Sequence, residues 1–369
     1  MKIHRTIQRS LFGSALLLGS SSAWAITCDF ENGIPTPLIQ TMNLQGGTIS
    51  VGRDQPIGAI LHRQTFRASA PMVIICTSGA VPFQRKMDLF SVPPLVPGMS
   101  NFQGKVYETN VPGIGVAVWN AGTGMPFQNS WNNCGGGTAN CRWTLNASLY
   151  FDVSLIKTGP ISGGLVQGSA LPGMTQSFVS ENTVTFQRIT LAGSINVVVP
   201  TCTTPDVNVP LGSHMVHDLQ GTNSGTAWRD FDIRLNNCPA ISGYFNGSDA
   251  TTPVWYSDGT REVGTRSNHA VNFQLNPQSG SIDPARGIAR LTASRPGTAP
   301  AATGIGVQIA NRSNQPTPLG SFNPGTTLRA GQAGGQNLSI PLRARYIQVA
   351  DKVTPGPANA AVEFVLQYH

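Results

Sequence analysis

Short stretches in which apolar and polar residues alternate recur along this chain, and the clearest of them is its last dozen residues. Apolar side chains stand there at every second position: Ala360, Val362, Phe364, Leu366 and Tyr368. In a β-strand this spacing places all five on one face. No later segment follows in the sequence, so we expect this strand to pair with an earlier part of the chain or with another protein.

Further short apolar runs predict strands in both halves, and no amphipathic helix of three or more turns is evident after residue 25. In the first half the predicted strands lie around residues 72–76, 113–119, 143–153 and 184–191. In the second half they include Phe231, Ile233 and Leu235, then Val271, Phe273 and Leu275, then 305–309 and 338–347. The pattern predicts an all-β protein.

The composition supports this fold class. The 369 residues include 41 Gly and 27 Pro, and only 11% are charged. Many turn-forming residues and little charge are typical of β-sandwiches and barrels. The length is sufficient for two domains of ordinary size.

Two features divide the chain into halves. The sequence Gly-Ile-Gly-Val occurs at 113–116 and again at 304–307, as expected of two related sandwiches. The β-branched run 194–199 is stopped by Pro200, which cannot donate a hydrogen bond to a sheet. We therefore expect a first domain over 26–197, a linker at 198–201 and a second domain over 202–369.

The N-terminus has the pattern of a secretory signal peptide. Basic residues in 1–9 precede an apolar run at 11–18, and Ala23-Trp24-Ala25 fits the small-x-small cleavage rule. The apolar run is too short to span a bilayer. Removal of residues 1–25 takes away Lys2, Arg5 and Arg9 and lowers the formal net charge from +7 to +4. No basic run with interleaved aromatic residues follows, so we expect no nucleic-acid partner.

Six cysteines in an exported chain predict three disulfides. Sequence alone leaves many pairings open, and the spacing favours the sequential pairs Cys28–Cys76, Cys134–Cys141 and Cys202–Cys238. No Cys-x-x-Cys motif is present, so a zinc or redox site is not indicated.

Several segments together resemble a known family. Cys202, the run Phe231 to Cys238, the run Gly304 to Ile309 and the closing Phe364-x-x-x-Tyr368 resemble a pilin domain of chaperone–usher fimbriae. The whole chain is similar to two-domain fimbrial tip adhesins, such as those of type 1 and type 3 fimbriae. In the first half, residues 100–106 resemble a segment of the type 1 lectin domain, and residues 197–201 resemble its linker.

The resemblance implies an elongated lectin-like sandwich or jelly roll followed by an immunoglobulin-like pilin domain that lacks its last strand. A periplasmic chaperone supplies that strand first, and the next fimbrial subunit supplies it after passage through the outer-membrane usher. The terminal strand then lines the open groove through Val362, Phe364, Leu366 and Tyr368. A folded domain replaces the donor extension of a shaft subunit, so the expected place of the chain is extracellular, at the fimbrial tip.

The same resemblance suggests where a ligand binds. By position, the pocket of the mannose-binding relatives corresponds to Ile26, Thr77, Ser78, Gln176, Ser177, Glu181 and Asn182. The run 77–80 lacks the acidic residues of those relatives, and the loop 172–182 holds one acidic residue where they have several. Mannose is therefore not the predicted ligand. We expect a host or surface glycan or a matrix protein, and ordinary turn roles for these residues are an equally good interpretation.

Two further groups are candidates for the binding surface. Trp131 lies beside the predicted Cys134–Cys141 loop, where an aromatic face suits stacking on a sugar ring. The alternative is that this disulfide only staples a long loop. Basic residues suggest a surface for acidic glycans, unless they are ordinary solvated strand faces: Arg53, His62, Arg63, Arg67, Arg85 and Lys86.

Catalysis is not predicted, and neither is a cofactor or a metal. His214 and His217 lack a further ligand at a useful spacing, and Asp230 and Asp232 flank Phe231 on the exposed side of a strand. No nucleophile, zinc-protease or phosphate-loop motif is present. The sequence favours a non-enzymatic adhesin. The alternatives are a structural initiator of the fimbria, a secreted carbohydrate-active enzyme and a periplasmic chaperone.

Overall fold

The chain folds almost entirely into β-strands. The computed structural model describes residues 27–31, 38–77, 83–131, 141–145 and 150–369, so the predicted signal peptide lies outside the described residues. Helical structure in these ranges consists of short 3-10 turns at Asn101–Gly104, Gly168–Ala170, Val216–Asp218 and Asp249–Thr251. In the same ranges no helix is long and apolar enough to cross a membrane. The prediction of an all-β fold is confirmed.

The described part of the first half forms strands β1 to β16. They are β1 (Cys28–Phe30), β2 (Leu38–Asn43), β3 (Thr48–Ser50), β4 (Ile60–Arg67), β5 (Met72–Cys76), β6 (Phe83–Phe90), β7 (Tyr107–Glu108), β8 (Ile114–Asn120), β9 (Thr123–Gly124), β10 (Phe127–Trp131), β11 (Cys141–Leu145), β12 (Tyr150–Lys157), β13 (Gly164–Gln167), β14 (Gly173–Val179), β15 (Thr183–Ala192) and β16 (Ser194–Val198).

The second half adds strands β17 to β26. They are β17 (Arg229–Cys238), β18 (Val254–Tyr256), β19 (Arg261–Glu262), β20 (His269–Pro277), β21 (Ser281–Asp283), β22 (Ile288–Ala289), β23 (Ile305–Asn311), β24 (Phe322–Leu328), β25 (Gln336–Gln348) and β26 (Val362–Tyr368).

A five-stranded and a seven-stranded sheet form the body of the first domain. The first has the order β10-β6-β14-β15-β2, and the second contains the path β4-β12-β8-β7. Strand β8 is buried along its whole length, which explains its nearly unbroken apolar sequence. The rings of Phe66 on β4 and Phe151 on β12 stack 4.9 Å apart within the core. Two small sheets, β1-β5-β11 and β13-β16-β3, complete this half.

The second half is a sandwich of two sheets. Their orders are β17-β25-β23-β22-β21 and β24-β20-β26. Alternating apolar residues of β17 and β20 enclose the core, among them Ile233, Leu235, Val271 and Phe273. Strand β26 pairs antiparallel with β20, and Phe364 lies opposite Leu275. Two β-sandwich domains were predicted, and this is confirmed.

One predicted strand is wrong. Residues 143–153 are divided between β11 and β12, which belong to different sheets. The reason is that the apolar residues at the two ends enter different cores. Leu145 packs with Cys76 and Phe178, whereas Phe151 packs in the main core with Phe66.

A hairpin of the second half is part of the first domain's sheet. Strand β18 pairs in parallel with β4, and β19 then forms the outer edge of the seven-stranded sheet. Phe245 and Trp255 of the second half lie in the first domain's core. The sequence does not suggest this exchange, and the domain boundaries at 198–201 remain a prediction. We call the contact between the two halves the junction.

We expect the substitution Trp255→Ala to destabilise the first domain by about 3–5 kcal/mol, the usual cost of emptying a buried tryptophan site. Trp255 is 8% exposed and packs in the first domain's core, so the loss of protection should extend to β4. Chemical denaturation and hydrogen exchange at residues 60–67 would measure it. Val263→Ala is the control: its side chain is 90% exposed and should change stability by less than about 0.5 kcal/mol. Unchanged exchange in β4 after Trp255→Ala would contradict the shared core.

Candidate functional site

An open groove of about 640 Å³ with an apolar floor runs along the second domain beside the terminal strand. One wall is the extended segment Asp206–Gly212, and the other is formed by 358–364. In the first wall Val207, Val209 and Leu211 are half-buried, whereas the residues between them are exposed. This is the alternation of a strand with one face turned inward.

The floor of the groove is the face of the larger sheet. It is lined by Phe231, Ile233, Val307, Ile309, Ala344 and Tyr346, which come from β17, β23 and β25. These strands keep their small and β-branched residues on the inner face, and their charged residues point outward. Asp230 and Asp232, for example, pair with Arg312 on the exposed side of β17.

Strand β26 has one free edge beside this groove. Within the described residues it pairs with β20 alone. His369 exchanges both backbone hydrogen bonds with Ala270 of β20, so by alternation the backbone groups of Val362, Phe364 and Leu366 point away from β20. An unpaired edge of this kind can accept a further strand.

The structure places the four predicted groove residues in different surroundings. Val362 and Phe364 line the groove and are half-buried. Leu366 packs against the core of the second domain, and Tyr368 is a buried member of it. Burial raises the pKa of the Tyr368 hydroxyl above its ordinary value, so this side chain acts as a neutral core residue.

Sequence reasoning missed the wall opposite β26. The signal was present, since Val207, Val209 and Leu211 alternate directly after Cys202. Two prolines, Pro205 and Pro210, interrupt the segment and hide its strand-like character. Chemically the groove offers an apolar floor, two apolar walls and a row of backbone groups, which suits an extended peptide with alternating apolar side chains.

A second candidate site is the end of the first domain that lies away from the linker. Strand β15 begins there at Thr183 and leads, through Gly193 and β16, to the predicted linker. The turn before β15, the start of β6 and the end of β10 meet at this end, because Val179 and Ser130 both pair with Gln84. We call it the distal end.

Thr77 and Asn182 come together with the first described residues of the chain at the distal end. The Thr27 N–H donates to Thr77 Oγ1 (3.1 Å), and the Thr77 N–H donates to the Thr27 carbonyl (3.0 Å). Asn182 accepts the Cys28 N–H through Oδ1 (2.9 Å) and donates to the Cys28 carbonyl through Nδ2 (2.7 Å). The Asn182 amide thus imitates a backbone strand and ties β1 to the β14–β15 turn.

Gln176 and Ser177 lie elsewhere. The predicted loop 172–182 is wrong, because Gly173–Val179 is strand β14 and only 180–182 form a turn. Gln176 has no exposed surface; with its amide turned to suit its neighbours, it donates to Gln187 Oε1 (3.1 Å) and accepts from Arg85. The Ser177 hydroxyl is 2.9 Å from that of Thr185. Both polar residues are buried because each has a partner on an adjacent strand.

The remaining predicted ligand residues surround the same end. Glu181 is exposed at the centre of the β14–β15 turn. Trp131 ends β10, opposite Phe83. Ile26 and Ser78 lie outside the described residues. The expected site is therefore reduced to the exposed part of the distal end.

Two disulfides are present in the described residues, Cys28–Cys76 and Cys202–Cys238. Cys141 is also disulfide-bonded, and its predicted partner Cys134 lies outside the described residues. Trp143, two residues on, packs its ring edge-to-face against Phe178 at 5.7 Å. That contact assigns Trp143 to the small core of the distal end.

The predicted basic surface does not exist as one patch. His62, Arg63 and Arg85 are buried. Arg63 donates to Asp152 Oδ1 (3.0 Å) and also pairs with Asp249 of the second half. Burial raises the pKa of Asp152 against the opposing effect of Arg63, and burial lowers the pKa of Arg85 to about 10. Both faces of β4 are covered along most of its length, so Arg63, Gln64 and Thr65 form hydrogen bonds within the protein instead of meeting solvent.

The weaker chemical candidates occupy ordinary surface positions. His214 Nε2 lies 3.0 Å from the Leu211 carbonyl, and His217 contacts Asp218 at 3.6 Å. Asp230 forms ion pairs with Arg343 and Arg312. The hydrogen bond from Arg343 is the main cause of the lowered pKa of Asp230. Across the ranges that the structure describes, no three His, Cys, Asp or Glu side chains are grouped to hold a metal.

Comparison with known proteins gives two family matches along the chain. The model of the fimbrial protein family matches residues 189–369, and that of the MrkD-like receptor-binding domain matches residues 42–194. Among curated proteins, no match is found.

Several solved structures are similar at low identity. The CupB6 tip adhesin from Pseudomonas aeruginosa is 14% identical, with 92% of this chain and 94% of that chain covered and a TM-score of 0.29. The P pilus rod subunit PapA is 15% identical over 46% of this chain and 99% of its own, with a TM-score of 0.31. CfaE, the adhesive subunit of CFA/I fimbria of enterotoxigenic Escherichia coli, is 11% identical over 90% and 98%, with a TM-score of 0.21.

The family assignment rests on the two sequence models. Together they extend from residue 42 to residue 369 and meet between 189 and 194, close to the end of β15. With a MrkD-like receptor-binding domain followed by a fimbrial protein domain, the chain belongs to the two-domain fimbrial adhesins.

Proposed function

We propose that this protein is a non-enzymatic adhesin at the tip of a chaperone–usher fimbria. Its second domain joins the fimbria by accepting a strand in the groove beside β26. Its first domain binds a host or surface glycan, or a matrix protein, at the distal end. The observation that carries the proposal is the groove, because its free strand edge and apolar floor are complementary to one extended segment.

The occupant of the groove is proposed to change during assembly. A periplasmic chaperone inserts a strand first, and the N-terminal extension of the next fimbrial subunit replaces it as the chain passes the outer-membrane usher. Phe364 and Val362 would contact the alternating side chains of the inserted strand. The backbone edge of β26 would supply its hydrogen bonds.

The position at the tip is supported by the order of the domains. A subunit inside the shaft needs a donor segment ahead of its pilin domain. In this chain that place is taken by β16, whose Val197 and Val198 are paired with Ile49 and Ser50 in a folded sheet. A segment engaged in this way is not available as a donor strand. The chain can therefore accept a strand in the groove beside β26 without donating one from β16.

The alternative is a structural initiator that caps the fimbria and binds no specific ligand. It is favoured by the hydrogen bonds of Thr77 and Asn182, both of which serve the protein's own backbone. The family match to a receptor-binding domain favours the adhesin.

Phe364→Asp should abolish strand acceptance. The carboxylate would stand among Phe231, Ile309 and Tyr346 without a partner, so the affinity for a synthetic peptide of alternating valine and threonine should fall at least about tenfold. Calorimetric titration of the purified, disulfide-bonded chain would measure this.

Val365→Asp is the matched control, because Val365 is the next residue on the same strand and its side chain points to the exposed face. The control should bind the peptide like the unmodified protein. Equal binding by the two variants would contradict strand acceptance in this groove.

Binding of the full chain to arrayed glycans, collagens and fibronectin should be saturable for one of these ligand classes. Glu181→Ala, at the exposed tip of the distal turn, should weaken it at least about tenfold, the loss of one charge-assisted hydrogen bond. Leu165→Ser is the control, since Leu165 is exposed on β13, which pairs with β16 beside the linker.

The outcomes separate the two proposals. If Glu181→Ala and Leu165→Ser weaken saturable binding equally, the ligand does not bind at the distal end. No binding to any probe by the folded chain would favour the structural initiator and leave the groove unaffected.

A further inference from the structure

The junction between the two halves is closed by several contacts besides the β4–β18 pairing. The Ser50 N–H donates to the Gly243 carbonyl (3.0 Å), and the Gly243 N–H donates to Ser50 Oγ (2.7 Å). The Tyr368 N–H donates to Asp54 Oδ2 (2.9 Å), and the Asp54 N–H donates to the Tyr368 carbonyl (3.1 Å). First-domain residues 50–54 are thereby fastened to the second domain at two points.

A histidine is enclosed on the first-domain side of this contact. His62 of β4 has no exposed surface, and its ring meets that of Phe245, from the second half, edge-on at 5.3 Å. Neither ring nitrogen has a hydrogen-bond partner among the described residues. The Gln64 amide is occupied, because it accepts the Gln45 N–H (2.7 Å) and donates to the Asn43 carbonyl (3.0 Å).

A second histidine is enclosed on the other side. His269 opens β20 and is 1% exposed. Its Nδ1 lies 3.0 Å from the backbone oxygen of His369, and its Nε2 lies 3.1 Å from Ser50 Oγ. The arrangement suits a neutral ring, in which Nδ1–H donates to His369 and Nε2 accepts the Ser50 hydroxyl proton.

Apart from the oxygen of His369, the last residue, which faces His269 Nδ1 at 3.0 Å, the charged groups around the two rings do not supply a counter-ion for a protonated imidazole. Arg266 is a cation close to His62, and it donates to the carbonyls of Gly46, Thr48 and Ser242 across the junction. Asp152 and Asp249 are held by Arg63, and Asp54 is engaged with Tyr368. Further basic groups at this contact are Arg53, Arg67, Arg261 and Lys157, which donates to the Arg53 carbonyl (2.6 Å).

We propose that the junction is an acid-sensitive contact. Protonation of His62 and His269 releases the β18–β19 hairpin from strand β4 of the first domain, and it releases residues 50–54 from the second domain. The closed junction accommodates both rings only when they are neutral. Opening exposes them to water, where either ring can take up a proton at no desolvation cost.

The direction of the pH effect follows from the burial of both rings. Burial lowers the pKa of His62 to about 3; the nearby Gln64 amide acts to raise this pKa, and the positive charge of Arg266 lowers it further. Burial also lowers the pKa of His269. A pKa that is lower in the closed form means that closure is fully stable above the free value of about 6.5 and weakens as the pH falls below it. For His62 alone, the closing equilibrium constant should fall about 30-fold between pH 7.5 and 5.0.

One group at the junction acts in the opposite sense. Burial raises the pKa of Asp152, so protonation of this carboxyl favours the closed form. A comparison that removes only the histidines separates the two effects, because Asp152 is unchanged in it.

Hydrogen exchange of the full, disulfide-bonded chain at pH 7.5 and 5.0 tests the proposal, with protection factors corrected for the intrinsic pH dependence of exchange. Residues 60–67 and 254–256 should lose at least about 30-fold in protection at pH 5.0. Residues 173–190, in the five-stranded sheet, should keep theirs. The double variant His62→Leu, His269→Gln should be insensitive to the same change, since leucine does not titrate and the glutamine amide retains both polar contacts.

His217→Gln is the control, because His217 has 83% of its side chain exposed and lies outside the junction. It should respond like the unmodified protein. If the double variant does not fold, titration of the imidazole proton resonances in the unmodified chain decides the question. Both buried histidines should remain neutral at pH 6. Equal protection of residues 60–67 at the two pH values, or ordinary titration of both buried rings, would overturn the proposal.

Discussion

The free edge of strand β26 is the constraint on which the second domain depends. A strand that carries four apolar residues on one face must bury that face, and β20 satisfies only one of its two edges. The opposite wall, Asp206–Gly212, does not close the gap, so Phe364 stands over a floor of core residues that remains open. A free strand edge beside an open apolar floor can accept an added strand, which would cover that floor.

The same strand reaches the other domain. At one end of β26, Val362 and Phe364 line the groove; at the other, Tyr368 exchanges hydrogen bonds with Asp54 of the first domain. These residues belong to one continuous strand, Val362–Tyr368. Insertion of a partner strand beside Phe364 would thus add hydrogen bonds to the very strand that fastens the two domains together. The groove and the junction share a structural element, although they are made by different residues.

Local patterns allowed part of this structure to be predicted. The face of β26 follows from a period of two within seven residues, and the same is true of the strands that contain Phe231 and Val271. The partner of Val254–Tyr256 could not be found in this way, because three residues carry no period and β4 is far away in the sequence. The polar residues of β4 were placed on a surface for a related reason: alternation marks one buried face, whereas β18 and Phe245 cover the second face only in the folded chain.

The candidate ligand site shows the same limit more sharply. Thr77 and Asn182 lie at one end of the domain, because the Cys28–Cys76 disulfide and the pairing of β1 with β5 fix that end; position relative to the cysteines pointed to both residues. It did not distinguish an exposed amide from a structural one. Asn182 spends both of its polar atoms on the Cys28 backbone, and Gln176 is enclosed by Arg85 and Gln187. A polar residue that is satisfied internally is unavailable to a ligand, so these hydrogen bonds argue against direct ligand contacts by the Asn182 and Gln176 amides.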